Sequence, residues 1–151
     1  MTIEDELYRE IILDNYKSKK NRGTLENATL KSEGANPSCG DELELFVELD
    51  GKTIKRATYE GAGCSICCAS ANMLCDAVSG RDLDEVRDVL RRFKAMLLEG
   101  GDADFPDELS DLEAMEGVKQ YPVRIKCALL SWSTLELMLR KNEDAPQPGA
   151  Q

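Results

Sequence analysis

Residues 41–64 read Asp41-Glu42-Leu43-Glu44-Leu45-Phe46-Val47-Glu48-Leu49-Asp50-Gly51-Lys52-Thr53-Ile54-Lys55-Arg56-Ala57-Thr58-Tyr59-Glu60-Gly61-Ala62-Gly63-Cys64. Leu43, Leu45, Val47 and Leu49 alternate with Glu42, Glu44, Phe46 and Glu48, the period of a strand with one buried face. Asp50-Gly51 is a pair that tight hairpins prefer, so Thr53 to Glu60 reads as the return strand. Gly61-Ala62-Gly63 breaks that pattern and delivers Cys64 to the start of a run from Ser65 to Val78. In that run Ile66, Ala69, Met73 and Ala77 recur at helical spacing. A hairpin feeding a buried helix is the centre of the fold.

Upstream, the turn residues Gly34, Asn36, Pro37, Ser38 and Gly40 carry Cys39, after a weaker strand signal at Ala28 to Ser32. Thr2 with Asp5 or Glu6 resembles a helix start. Ile3, Leu7 and Ile11, with Tyr8 and Ile12, make a stripe up to about Tyr16, and the basic stretch Lys17 to Gly23 ends it. Downstream, Asp82 with Glu85 caps a third helix whose Val86, Val89, Leu90, Phe93 and Leu97 face inward until Gly100-Gly101. Asp107 to Met115 forms helical turns closed by Gly117. Pro122 suits the first position of a last helix to about Arg140, with Ile125, Leu129, Trp132, Leu135 or Glu136, and Leu139 along it. The expected fold is α+β, a small antiparallel sheet of about three strands packed by helices. Its site would lie where Cys39, Cys64 and the start of the last helix meet. Residues 1–141 are expected to form one domain and 142–151, with Pro146, Pro148 and Gly149, a frayed tail.

Composition excludes several functions. With 29 acidic against 19 basic residues the formal charge is −10, the wrong sign for gripping nucleic acid. Apolar runs such as Ile11-Ile12-Leu13 are far below a bilayer span, and the acidic start Met1-Thr2-Ile3-Glu4-Asp5-Glu6 is unlike a secretory signal. The expectation is a soluble, cytoplasmic protein without nucleic-acid or membrane partners. Six cysteines stand beside no histidine. That removes Ser-His-Asp and Cys-His catalysis and Cys2His2 zinc sites, so any metal must be held by Cys, Asp and Glu.

Cys39 and Asp41 flank a strand entry, where an extended chain points both to one side. Cys64 opens a helix, whose free N–H groups and dipole favour thiolate. Cys127 follows Arg124 and Lys126, cations that oppose the charge of a metal–thiolate cluster. Zinc with three thiolates and one carboxylate carries a formal charge of about −2 and accepts that set tetrahedrally. The intervals between the three cysteines are too long for a compact finger, so the fold must bring them together. Three unrelated buried cysteines, a solvated turn Asp41 and an exposed cationic helix face fit the residues as well. Cys64 and Cys67 also form a Cys-x-x-Cys spacing. It admits a redox pair, a fourth thiolate in place of Asp41, or small side chains inside a core. Cys75 reads as packing.

Four stretches carry a resemblance. They are Leu7-Tyr8-Arg9-Glu10-Ile11-Ile12-Leu13-Asp14-Asn15-Tyr16-Lys17 with Asn21-Arg22-Gly23, Asn36-Pro37-Ser38-Cys39-Gly40-Asp41, Glu60-Gly61-Ala62-Gly63-Cys64-Ser65-Ile66, and Tyr121-Pro122-Val123-Arg124-Ile125-Lys126-Cys127-Ala128-Leu129-Leu130-Ser131-Trp132. In order, from about residue 7 to residue 139, they resemble the SufU branch of the U-type (IscU- and NifU N-terminal-like) iron-sulfur cluster assembly family. The IscU branch carries His where this chain has Lys126, and the SufU branch has an insertion that the stretch at about 83–117 resembles.

The resemblance implies a zinc-dependent sulfurtransferase, with Zn2+ held by Cys39, Asp41, Cys64 and Cys127. Its partner would be the cysteine desulfurase SufS, with downstream Suf-type assembly proteins beyond it. It implies Cys39 as the acceptor of persulfide sulfur, and a Pro-Ser-Cys-Gly loop can leave a metal at lower packing cost than Cys127 can from inside a helix. A scaffold that assembles a [2Fe-2S] cluster, or holds iron, on the same residues is the alternative from another class. A structural zinc domain used only for partner binding is a third. Cys67 and Cys68 stand where the family usually has Ser and a larger apolar residue, and Asn15 replaces a His often found there.

Overall fold

The structure, a computed structural model, describes residues 3–100 and 103–144. Thr2, Gly101 and the tail beyond Asp144 lie outside the described residues, as does the Ile3 side chain. The chain runs α1 (Ile3–Lys17), β1 (Leu30–Asn36), β2 (Asp41–Asp50), β3 (Thr53–Ala62), α2 (Ser65–Val78), α3 (Leu83–Leu98), a 3-10 segment (Asp107–Gln120) and α4 (Pro122–Asp144). The three strands form one antiparallel sheet in the order β1-β2-β3. The expected α+β architecture is the one observed.

The hairpin follows from its sequence with two adjustments. Asp50 pairs with Thr53, so the two-residue loop is Gly51-Lys52, and only Gly51 has positive φ, at 63°. That is the sense of a II′ turn with Gly first, not the I′ turn an Asp-Gly centre would make. A register shift at Glu48/Leu49 leaves Lys55 unpaired. The bulge turns both Ile54 and Ala57, three residues apart, toward the core, where they are 0% and 1% exposed beside Leu45 and Val47. The outer edge of β3 is covered. Gly23 N–H donates to Tyr59 O (2.8 Å) and Gly80 N–H to Ile54 O (2.7 Å).

The weak signal at Ala28 to Ser32 proves to be the start of a longer strand, through Gly34 and Asn36. Packing overrides the turn propensity. A Cβ on Gly34 would lie 2.3 Å from Thr134 Oγ1 of α4, so glycine lets the last helix rest on β1. In α1 the packed residues are Tyr8, Ile11 and Ile12, while Leu7 of the expected stripe is 52% exposed. Asn15 replaces an apolar contact with a polar one, its Oδ1 accepting from Asn72 Nδ2 of α2 at 2.7 Å.

α2 lies between the sheet and the other helices, and every residue from Cys67 to Cys75 is buried. Ser70 Oγ donates to Ala128 O (2.6 Å) and accepts from Trp132 Nε1 (2.9 Å), which fixes α4 against α2. Trp132 in turn stacks on Phe93 of α3, ring centroids 3.9 Å apart. The Asp82 side chain caps α3 by accepting from Glu85 N–H, as expected. The 3-10 segment runs through Gly117 to Gln120, and α4 extends past Arg140. Among the described residues no helix is long and apolar enough to cross a membrane.

The solvent face of the sheet places Glu44 directly between Glu33 and Glu60. Like charges opposite one another across strands are unfavourable. Glu44→Gln is therefore expected to stabilise the protein by about 0.5–1 kcal/mol. Thermal unfolding should show the gain, and it should shrink at about 0.5 M salt, where screening already weakens the repulsion.

Candidate metal centre

At one end of the sheet a turn, a strand start and two helix starts converge. The turn Pro37-Ser38-Cys39-Gly40 is closed by Cys39 N–H to Asn36 O (3.1 Å) and Gly40 N–H to Pro37 O (3.3 Å). Gly40 adopts φ 70°, which a side chain would strain, and swings the chain into β2 at Asp41. Cys39 thus sits half-buried on a turn, not on the extended chain that the same-side expectation assumed. The turn still brings its sulfur to the carboxylate.

Asp41 is 0% exposed, so it is no solvated turn residue. Its Oδ1 accepts the Cys64 N–H at 2.9 Å, while Oδ2 is buried without a hydrogen-bond partner. Gly63 makes this approach available, since a Cβ there would sit 2.8 Å from Asp41 Oδ1. Cys64 is the N-cap of α2, its Sγ accepting from Cys67 N–H at 3.5 Å. Cys127, 0% exposed, comes from the second turn of α4. Asn36 Nδ2 donates to its sulfur at 3.6 Å, and the Cys127 and Cys39 thiols both reach the Val123 carbonyl, at 3.9 and 4.0 Å.

Burial first, and then Asp41, Cys39 and Cys64 around it, push the Cys127 thiol well above the usual thiol range. The Arg124 guanidinium lies against the Cys127 and Cys64 sulfurs, which holds its proton more tightly. Arg124 therefore has the site contact that its sequence position suggested, although, like Lys126, it is exposed. Burial also pushes up the thiols of Cys67 and Cys75, and that of Cys68 with Arg22 opposing it.

One ligand atom from each of Cys39, Asp41 and Cys127 lies within 4.8 Å of the others. Donors around one tetrahedral zinc, with bonds of about 2.0–2.3 Å, stand ~3.3–3.8 Å apart, so small side-chain rotations close the trio. Cys64 is outside that trio and borders it, through its N–H to Asp41 and its sulfur beside Cys127. A buried carboxylate oxygen without a donor is costly, and a cation held by soft thiolates and this oxygen would relieve it. The donor set therefore fits a divalent metal.

Sequence reasoning passed over two residues. Asn36 read only as a turn former, and Gly63 only as a breaker. Their roles depend on partners 91 residues and 22 residues away along the chain, which no local pattern encodes.

Beside the site runs a groove of about 590 Å3 between α1, the 3-10 segment and the starts of α2 and α4. Tyr8, Ile12, Ile66 and Val118 give it apolar walls, and Arg124 and Tyr121 stand at its rim.

A Bacillus subtilis (strain 168) protein named zinc-dependent sulfurtransferase SufU is 42% identical over 139 residues, spanning 92% of this chain and 93% of that one. A Thermotoga maritima protein named iron-sulfur cluster assembly scaffold protein IscU is 37% identical over 135 residues, covering 89% and 94%. Among solved structures, a putative iron-sulfur cluster assembly scaffold protein for the SUF system from Fervidobacterium islandicum superposes with a TM-score of 0.79 at 37% identity, over 86% of this chain and 94% of that one. The NifU-like N-terminal domain family matches residues 7–128. That stretch reaches from the first helix through all six cysteines, and the chain belongs to this family.

Proposed function

We propose that the protein is a zinc-dependent sulfur acceptor and carrier in iron-sulfur cluster assembly, taking persulfide sulfur from a cysteine desulfurase of the SufS type. The observation that carries this is the buried, hydrogen-bond-free Asp41 Oδ2 of the carboxylate grouped with the thiols of Cys39 and Cys127, with Cys64 bordering them. The family membership and the SufU-named relative support it. Cys39, Asp41, Cys64 and Cys127 would hold the metal. When bound, zinc keeps coordinating thiols deprotonated near neutral pH.

Cys39 is the acceptor, being the half-buried thiol on a turn and the one that can leave without unpacking a helix. Its thiolate attacks the outer sulfur of the partner's persulfide. A new S–S bond forms on Cys39, the partner's S–S bond breaks, and its thiolate leaves, with no net oxidation. Arg124 offsets the anionic charge that gathers there. The groove beside the site offers the desulfurase a docking surface, and the charge of −10 favours a basic one.

Residues 1–141 are read as one domain in which 83–117 is an insertion, and all six cysteines being free suits action in the reducing cytoplasm. The scaffold reading, suggested by the IscU-named relatives, predicts a different product. The test is the metal content of the aerobically purified protein, with persulfide mapping by mass spectrometry after incubation with desulfurase and cysteine. One zinc, no visible chromophore and a persulfide on Cys39 are expected. A brown protein that passes an intact cluster to an apo-acceptor would overturn the carrier reading in favour of the scaffold.

A further inference from the structure

The three cysteine sulfurs of the site are not held alike. Cys64 accepts from the Cys67 N–H at 3.5 Å, and Cys127 accepts from Asn36 Nδ2 at 3.6 Å. The Arg124 guanidinium lies against both. No nitrogen donor reaches the Cys39 sulfur among the described residues, and in its 4.0 Å contact with the Val123 carbonyl the sulfur is the donor.

Asn36 touches every member of the group formed by Cys39, Asp41 and Cys127. Its carbonyl accepts the Cys39 N–H at 3.1 Å, and its backbone pairs with Asp41 at the end of the ladder between β1 and β2. The residue is only 7% exposed, and its side chain reaches the Cys127 sulfur of α4. An asparagine at the head of a turn ordinarily bonds its own backbone two residues on. This one donates instead to a sulfur 91 residues away along the chain. Turn propensity explains an asparagine at position 36 but not that choice of acceptor. A neutral thiol is a weak acceptor, and a buried N–H group without a good acceptor is costly. A metal-bound thiolate is anionic and accepts strongly.

We propose that Asn36 is a positioning residue that holds the Cys127 sulfur on the metal, leaving Cys39 as the arm that departs with sulfur. A donated hydrogen bond draws electron density from a thiolate, which makes that sulfur less nucleophilic toward a persulfide. It also fixes the direction from which the sulfur meets the metal. The Cys67 N–H restrains Cys64 in the same way, so the sulfur without a nitrogen donor is the one free to leave. No covalent bond is made or broken at Asn36. The inference rests on the sulfur-acceptor reading above.

The test compares wild type with Asn36→Leu, which keeps the volume and removes the donor, with Asn36→Ala, and with Asn36→Gln, which keeps an amide. Each full chain is checked for native circular dichroism. Loaded with Co2+, Asn36→Gln should stay near the wild-type thiolate-to-cobalt charge-transfer band. Asn36→Leu and Asn36→Ala should keep its intensity and move it to longer wavelength, because a thiolate without its donor gives up an electron more readily. A residue that only shaped the turn would leave the band in place. By chelator competition the two variants without the amide should bind zinc about 10-fold more weakly. With a limiting alkylating agent on the zinc-loaded protein, mass spectrometry should find Cys127 modified about 10-fold faster in Asn36→Leu than in wild type, and Cys39 at an unchanged rate. Wild type supplies a measurement that needs no variant: in protein loaded with NMR-active cadmium, the Asn36 side-chain amide should couple to the metal through the Cys127 sulfur. An unshifted band in a folded variant without the amide, or no such coupling, would overturn the role of Asn36 alone. Persulfide found on Cys64 or Cys127 of wild type would overturn the acceptor reading on which the inference rests, and a wild type that takes up neither cobalt nor zinc would overturn both.

Discussion

Cys39→Ala is expected to lose sulfur acceptance from a desulfurase persulfide by at least about 100-fold while unfolding, in chelator, within about 2 °C of the metal-free wild type. Both halves follow from position. Cys39 lies on a half-buried turn outside the strands, and its sulfur's contact with Val123 O is long, at 4.0 Å, so removing it takes little from the core. The remaining thiols cannot replace it. Cys67, Cys68, Cys75 and Cys127 are between 0% and 5% exposed, and thiol exchange needs an accessible thiolate. Cys64 is half-buried, but its sulfur is occupied as the cap of α2. Intact-protein mass spectrometry after incubation with desulfurase and cysteine reads the outcome directly. Persulfide forming on another cysteine at the wild-type rate would remove Cys39 from the acceptor role.

How much of this was legible in the residues depends on the range of the interactions. The hairpin of β2 and β3 and the helices α2 and α3 were readable because their apolar period, turn pair and Asp82 cap act within a few residues. β1 was read too short because its Gly34 and Asn36 have strong turn propensities, and a helix a hundred residues later decides against them. Leu7 was misassigned for a related reason. Both Leu7 and Tyr8 suit a helical stripe, and only the position of α2 and the 3-10 segment selects Tyr8.

The site divides in the same way. That Cys39 and Asp41 belong together was visible from their spacing, although a turn and not an extended strand unites them. That Cys127 joins them was carried only by the family resemblance, since residue types at such separations fix no distance. The cost of the arrangement was invisible in the sequence. An aspartate reads the same whether it is solvated or, as here, buried with one oxygen bare. Gly63 and Asn36 exist in their functional sense only once the chain has closed.

Asp41→Asn separates the two things that this carboxylate does. The amide carbonyl can still accept the Cys64 N–H, so the entry to α2 keeps its anchor. What disappears is the negative charge on the oxygen that now has no partner. In the metal-free protein that loss is favourable, because burying a neutral amide costs less than burying a carboxylate. In the zinc-bound protein it removes a ligand, and since even outer-shell partners cost 10–100-fold, affinity should fall by about 100-fold or more. At fixed free zinc well above Kd, that weakening removes about 2.7 kcal/mol of ligand-linked stability. For a chain of this size it corresponds to roughly 5–10 °C in Tm. Thermal melts in chelator and in excess zinc are thus expected to move in opposite directions: the variant equals or exceeds wild type without metal and falls well below it with metal. An Asp41→Asn protein with the full zinc-induced rise would show that the carboxylate is not a ligand. The bare oxygen would then be a stability cost that the fold carries for another reason.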